Sequence, residues 1–109
     1  MKIDFATMEK AVLHEFKGGN KDTVAQMHTD ELGKIMKGML EPGASIGMHT
    51  HETSSETIYI LSGTASILYD DGVEEVGAGC CHYCPKGHSH SMRNLSDEDL
   101  HFFAVVSEQ

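Results

Sequence analysis

Residues 46–61 read Ile46-Gly47-Met48-His49-Thr50-His51-Glu52-Thr53-Ser54-Ser55-Glu56-Thr57-Ile58-Tyr59-Ile60-Leu61, and the alternation within them decides the fold. His49 and His51 are one residue apart in a strand-like segment, so both imidazoles point to one face while Met48 and Thr50 point away. Four polar residues follow, and then Glu56 heads a second apolar run in which Ile58 and Ile60 share its face. If the two strands pair, the carboxylate comes round to the face of the imidazoles.

Working outward, short apolar runs recur between turn residues. Ala11 to Phe16 stops at Lys17-Gly18-Gly19-Asn20, and Ile35 to Leu40 stops at Glu41-Pro42-Gly43, with proline in its favoured second place. Ala65 to Tyr69 ends at Asp70-Asp71-Gly72. Val73 to Val76 gives way to Gly77-Ala78-Gly79, Cys80 to Cys84 to Pro85-Lys86-Gly87, and a last run covers Leu100 to Val106. Many short strands at near-regular spacing predict an all-β sandwich or barrel. Two segments carry some helical spacing, 5–14 (Phe5, Met8 and Val12) and 23–32, but neither has a cap. With 109 residues one domain is expected, residues 1–24 forming a strand or arm of the same domain and 25–109 the barrel.

The formal net charge is -9, with 17 acidic against 8 basic side chains. That excess argues against nucleic acid or an anionic membrane as partner, since both demand positive charge. No stretch approaches the roughly twenty apolar residues of a membrane span. Cys80, Cys81 and Cys84 make an odd, clustered set, a poor disulfide framework that points to a reducing compartment. The chain reads as cytoplasmic. Sheet edges and an N-terminal segment able to add a strand to a neighbour predict a homodimer.

The chain holds 8 histidines. His90 follows a proline-glycine turn able to bring it opposite His49 and His51. Three imidazoles and a carboxylate suit one divalent ion such as manganese, iron, cobalt, nickel or zinc. His14, His28 and His101 belong to no constellation, and His88 has a supporting or surface place.

Taken whole, the spacing resembles the cupins. Gly43, five residues, His49-Thr50-His51, four residues, Glu56, six residues and Gly63 look like the first cupin motif. Gly79, five residues, Pro85-Lys86-Gly87, two residues, His90, three residues and Asn94 look like the second. The short spacer between them resembles that of small single-domain, oxalate-decarboxylase-like members. The resemblance implies a double-stranded β-helix, a jelly-roll barrel, with His49, His51, Glu56 and His90 as metal ligands near one mouth. The motif glycines and Pro85 would shape turns, and Asn94 would brace one.

Parity nominates the surroundings. Ile58 and Ile60 give an apolar floor, and Met27, Met36, Met39 and Met92 are core fillers or cavity wall. One of His82 and Tyr83 must face inward, making them the two candidates for hydrogen bonding a ligand or shuttling a proton. The three cysteines read as small buried hydrophobes, although Cys80 stands where many cupins place an aspartate. The resemblance implies several activities, among them oxalate decarboxylases, dioxygenases and sugar isomerases. Oxalate decarboxylases carry a substrate-binding arginine three residues before the first motif histidine, where this chain has Ile46. Arg93, the one arginine, is expected at the barrel rim. Three readings follow: a metal-dependent enzyme acting on a small chelating carboxylate, diketone or phenolic, a binding or sensing module for a small ligand, and a purely structural metal.

Overall fold

The computed structural model describes residues 1–109. Ten strands follow in chain order: β1 (Ala11–His14), β2 (Asp22–Asp30), β3 (Gly33–Leu40), β4 (Ser45–Thr50), β5 (Ser54–Ser62), β6 (Thr64–Tyr69), β7 (Gly72–Gly77), β8 (Cys81–Cys84), β9 (Ser89–Arg93) and β10 (Leu100–Glu108). They form a six-stranded sheet in the order β1-β2-β3-β10-β5-β8 and a four-stranded sheet in the order β4-β9-β6-β7. Every pairing is antiparallel. The fold is all-β, the double-stranded β-helix expected, and no helix is long and apolar enough to cross a membrane.

Alternation explains the core. Met36, Leu40, Ile58, Ile60, Phe102 and Ala104 come from the inner face of the larger sheet, and Ile46, Ala65, Ile67 and Met92 from that of the smaller. Phe102 pairs with Gly38 across the ladder, and its ring occupies the space a side chain at Gly38 would need. Asn94 closes this end of the barrel as a wholly buried brace. Its amide donates to the carbonyls of Leu40 (2.8 Å) and Glu98 (2.7 Å), and its side-chain oxygen accepts from the Ser96 amide and hydroxyl. Arg93, on the same strand as His90 but toward the Asn94 end, donates to the Ser66 hydroxyl (2.9 Å).

Several expectations change. Residues 5–14 hold one turn, at Asp4–Met8, and then β1. The segment 23–32 lies mostly within β2, which runs unbroken across the expected arm boundary at residue 24. The N-terminal strand is spent on its own sheet, since β1 pairs with β2. The loop 17–20 is partly a 3-10 turn, Phe16–Gly18, pressed against β4. A β-carbon on Gly47 would collide with the Lys17 carbonyl oxygen, and one on Gly19 with that of Ser45. Glycine at both positions therefore sets Phe16 and Lys17 beside the barrel mouth.

Candidate metal centre

The register of β4 aims the first histidine. Ile46 pairs with Met92 and His49 with His90, so three steps on β4 match two on β9 and one residue is bulged out at Gly47–Met48. Without that bulge, strict alternation from the buried Ile46 would turn His49 outward. His51 lies just past β4, where its amide donates to the His88 carbonyl (3.0 Å) and its carbonyl accepts from Gly87 (2.6 Å). Gly87 permits that turn with a φ of 90°, and the motif glycines 43, 63 and 79 are likewise left-handed. The two histidine-bearing segments are thus stitched together through main chain.

The four side chains converge. Glu56 Oε1 lies 3.0 Å from His51 Nε2, 2.9 Å from His90 Nε2 and 3.9 Å from His49 Nε2. His90 Nε2 is 3.0 Å from His51 Nε2 and 3.2 Å from His49 Nε2. The other ring nitrogens face partners: His49 Nδ1 the Gly47 carbonyl (2.7 Å), His51 Nδ1 the Ser54 hydroxyl (2.9 Å) and His90 Nδ1 the Nε2 of His82 (3.0 Å). Donation from Nδ1 leaves each Nε2 lone pair aimed at the centre. Three lone pairs and a carboxylate oxygen facing one another need protons or a cation between them.

The spacing and electrostatics fit the cation. Two ligands at right angles on an ion with bonds of about 2.1 Å sit about 3.0 Å apart, against about 3.4 Å for a tetrahedron. Four of the observed separations match the right-angled case. Burial opposes charge on Glu56, but the imidazoles of His49, His51 and His90 outweigh it and hold the carboxyl well below the usual carboxylate range. Burial pushes the His90 pKa down, with Glu56 opposing, so this imidazole resists a proton. The group His49, His51, Glu56 and His90 can hold a metal ion.

Behind His90 the support continues to the surface. His82, 2% exposed, accepts from His90 through Nε2 and donates through Nδ1 to Glu74 Oε1 of β7 at 2.9 Å. A single set of tautomers satisfies the whole series, from the Glu74 carboxylate through both rings to the metal-facing nitrogen. Strand parity explains why His82 faces inward, but it stands behind His90 and does not line the cavity. Its neighbour Tyr83 is 54% exposed on the outer face and does not reach the site. His82, Cys84 and His90 also lie close enough to share an ion, but the hydrogen bond between the rings already occupies both nitrogens. Cys84 is buried and Cys80 and Cys81 are exposed, so only one thiol behaves as a small hydrophobe. Burial, with Glu56 and Asp70 adding, pushes the Cys84 thiol up to about 11.

In front of the donors opens a cavity of about 450 Å3. Ile46, Ile58, Met36, Met92, Phe102 and Val106 make its apolar wall. Ile60 is buried deeper, Met27 packs against the core and Met39 is half-buried away from the cavity. Met48 and Thr50 are exposed. His88 stacks on Tyr69 and meets Asp70 at 3.0 Å, a surface place. His14 pairs with Asp22 and His28 with Asp30, away from the centre. Sequence reasoning missed Ser54, Glu74 and Lys34. Ser54 sits three residues after His51 and had a local signal, whereas Glu74 and Lys34 come near the site only through strand register.

Comparison with known proteins now decides the family, because the Cupin domain model matches residues 36–106. The chain is a cupin. An oxalate-binding protein from Thermotoga maritima is 40% identical over 68 residues, 62% of this cupin and 55% of the relative, so the match spans about half of that protein's length. A structure from the same organism, described as a predicted oxalate decarboxylase, superposes with a TM-score of 0.93 over 100% of both chains at 24% identity. A mutant oxalate decarboxylase from Bacillus subtilis gives a TM-score of 0.79 at 25% identity, covering 99% of this cupin and 29% of that larger chain.

Proposed function

We propose that His49, His51, Glu56 and His90 hold one divalent metal ion and that a small chelating carboxylate binds to it in the cavity. The observation that carries this is the convergence of three Nε2 atoms and one carboxylate oxygen at right-angled spacing, open on one side to about 450 Å3. That spacing favours an octahedral ion such as manganese, iron, cobalt or nickel over tetrahedral zinc. When bound, such an ion supplies a Lewis acid with open coordination positions. The chain's own residues hold the ligand set rigid, exclude water with the Ile46–Ile58–Met92 wall and admit a ligand of small size.

On this reading the protein is a metal-dependent enzyme, a decarboxylase, dioxygenase or isomerase of a small carboxylate, diketone or phenolic. The oxalate-binding relative makes oxalate the first compound to test, although Ile46 stands in the place of an arginine. A second reading, a non-catalytic binding module, draws on the absence of any free histidine lining the cavity besides the three ligands. Incubating manganese- and iron-loaded protein with oxalate and related acids distinguishes the two. Product or oxygen consumption supports the enzyme, and saturable binding without turnover supports the module. Failure of metal to bind at all overturns both.

The exposed apolar residues Tyr59, Leu61 and Tyr83 on the outer face of β5 and β8 support a homodimer in a reducing cytoplasm. Sedimentation at micromolar concentration tests it, and a monomer contradicts it.

A further inference from the structure

The cavity carries a second polar feature that the metal ligands leave unused. Lys34 of β3 lies opposite Val106 of β10, and Val106 lies opposite Glu56 of β5. Residues directly opposite in a ladder share a face, so the three form one row on the inner face, and all line the cavity. Two strand spacings of about 4.8 Å set the Lys34 and Glu56 backbones roughly 10 Å apart.

The Lys34 ammonium has no hydrogen bond and no ion pair, unlike Lys21 and Lys86, which donate to the carbonyls of Pro42 and Gln109. Its one marked contact is the ring of Phe16, 5.6 Å from Nζ to the centroid, and Lys17 Nζ stands 5.6 Å from the same ring. Burial makes the Lys34 charge unfavourable, Glu56 offsets part of this, and Lys17 adds to it. Lys17 is itself held in left-handed backbone, φ 56°, a conformation costing a non-glycine residue about 1 kcal/mol. Of the carboxylates at the mouth, Glu108 accepts from Thr53 and Asp30 from the Leu32 amide, while Glu52 is exposed. Two lysines without anionic partners, on one wall of a cavity in a chain of net charge -9, call for an anion from outside. A divalent ion at the opposite wall would outweigh the single charge of Glu56 and strengthen that demand.

We propose that Lys34, with Lys17 at the mouth, anchors the second carboxylate of a small dicarboxylate whose first carboxylate is held at the histidine–glutamate centre. A lysine stem leaning over Val106 shortens the gap to the length of a dicarboxylate of about two to four carbons. This assignment rests on the metal-anchored carboxylate reading and supplies the cationic group that Ile46 does not. Lys34 is a specificity residue: it favours two carboxylates over one and leaves metal binding alone.

Calorimetric titration of manganese-loaded protein with acetate, oxalate, malonate and succinate tests it. One charge-assisted contact is worth about 1.5–3 kcal/mol, so Lys34→Met should weaken the best dicarboxylate about tenfold or more. Acetate affinity and manganese content should stay within about twofold, and Lys34→Arg should recover most of the loss. Lys17→Met, at an exposed position, should give a smaller loss in the same direction and serves if Lys34→Met melts early. Equal weakening of acetate and dicarboxylates, or no weakening, overturns the inference while the metal reading stands. So does a wild-type protein that binds no dicarboxylate more tightly than acetate. Wild-type protein that takes up manganese but binds none of the four acids overturns both carboxylate assignments.

Discussion

The two walls of the cavity are built to different rules. On the β4, β5 and β9 side, Glu56, His51 and His90 are buried, and all three imidazoles meet a hydrogen-bonding partner at the nitrogen turned away from the centre. On the β3 side, Phe16, Lys17 and Lys34 are half-buried or exposed, and neither lysine has a polar partner. One wall is fixed by hydrogen bonds and the other is held by long stems over a single ring. A metal needs donors placed within fractions of an ångström, whereas a ligand of variable length is better met by groups that adjust.

The largest test of this contrast removes a donor from the fixed wall. His51→Ala should lower manganese affinity at least about 100-fold, while Lys34→Met leaves it within about twofold, as read by calorimetry. Equal effects would erase the distinction between the walls. Next in size is the effect of the ion on stability: at free metal of 100 times Kd, the folded state should gain about 2.7 kcal/mol. For a domain of this size that is a rise in Tm of roughly 10–20 °C by calorimetric scan, and a chelator should reverse it.

Smaller is the contribution of the groups behind His90. His82→Phe removes the acceptor for His90 Nδ1 and should cost about 10–100-fold in metal affinity. Glu74→Gln, at a half-exposed position where water can substitute, should cost less. If His82→Phe leaves affinity unchanged, the tautomer of His90 is not set by this series. The mildest test concerns the thiols. Raised to about 11, Cys84 stays a protonated thiol at pH 8 and acquires thiolate only as the pH nears that value. A thiol reagent on native protein at pH 8 should therefore label Cys80 and Cys81 and reach Cys84 only after unfolding.

Much of the fixed wall was legible in the sequence, and little of the adjustable one. His49, His51 and Glu56 are close in the chain, and period-two alternation sets the relation between the two histidines. His90 was readable through the completeness of the second motif. The bulge at Gly47–Met48 was not: alternation alone cannot show that Ile46 and His49 share a side, because the extra residue is visible only against the partner strand. Two strands, β2 and β9, were missed. The Thr23-Val24-Ala25-Gln26-Met27 run has helical spacing as well as strand content, and Ser89-His90-Ser91-Met92-Arg93 has too few apolar residues to signal itself. Glu74 and Lys34 are brought to the site by pairings that no local spacing encodes. The outward turn of Tyr83 needed the register of β8 on β5, where it opposes Thr57.

The central claim is that these four side chains hold one ion. Elemental analysis of protein purified without added metal or affinity tag tests it most directly, with His51→Ala prepared in parallel. The account predicts about one equivalent of a first-row divalent metal per chain in the natural protein and near none in the variant. Equal metal content in the two, or a natural protein that takes up no metal even when it is supplied, contradicts it.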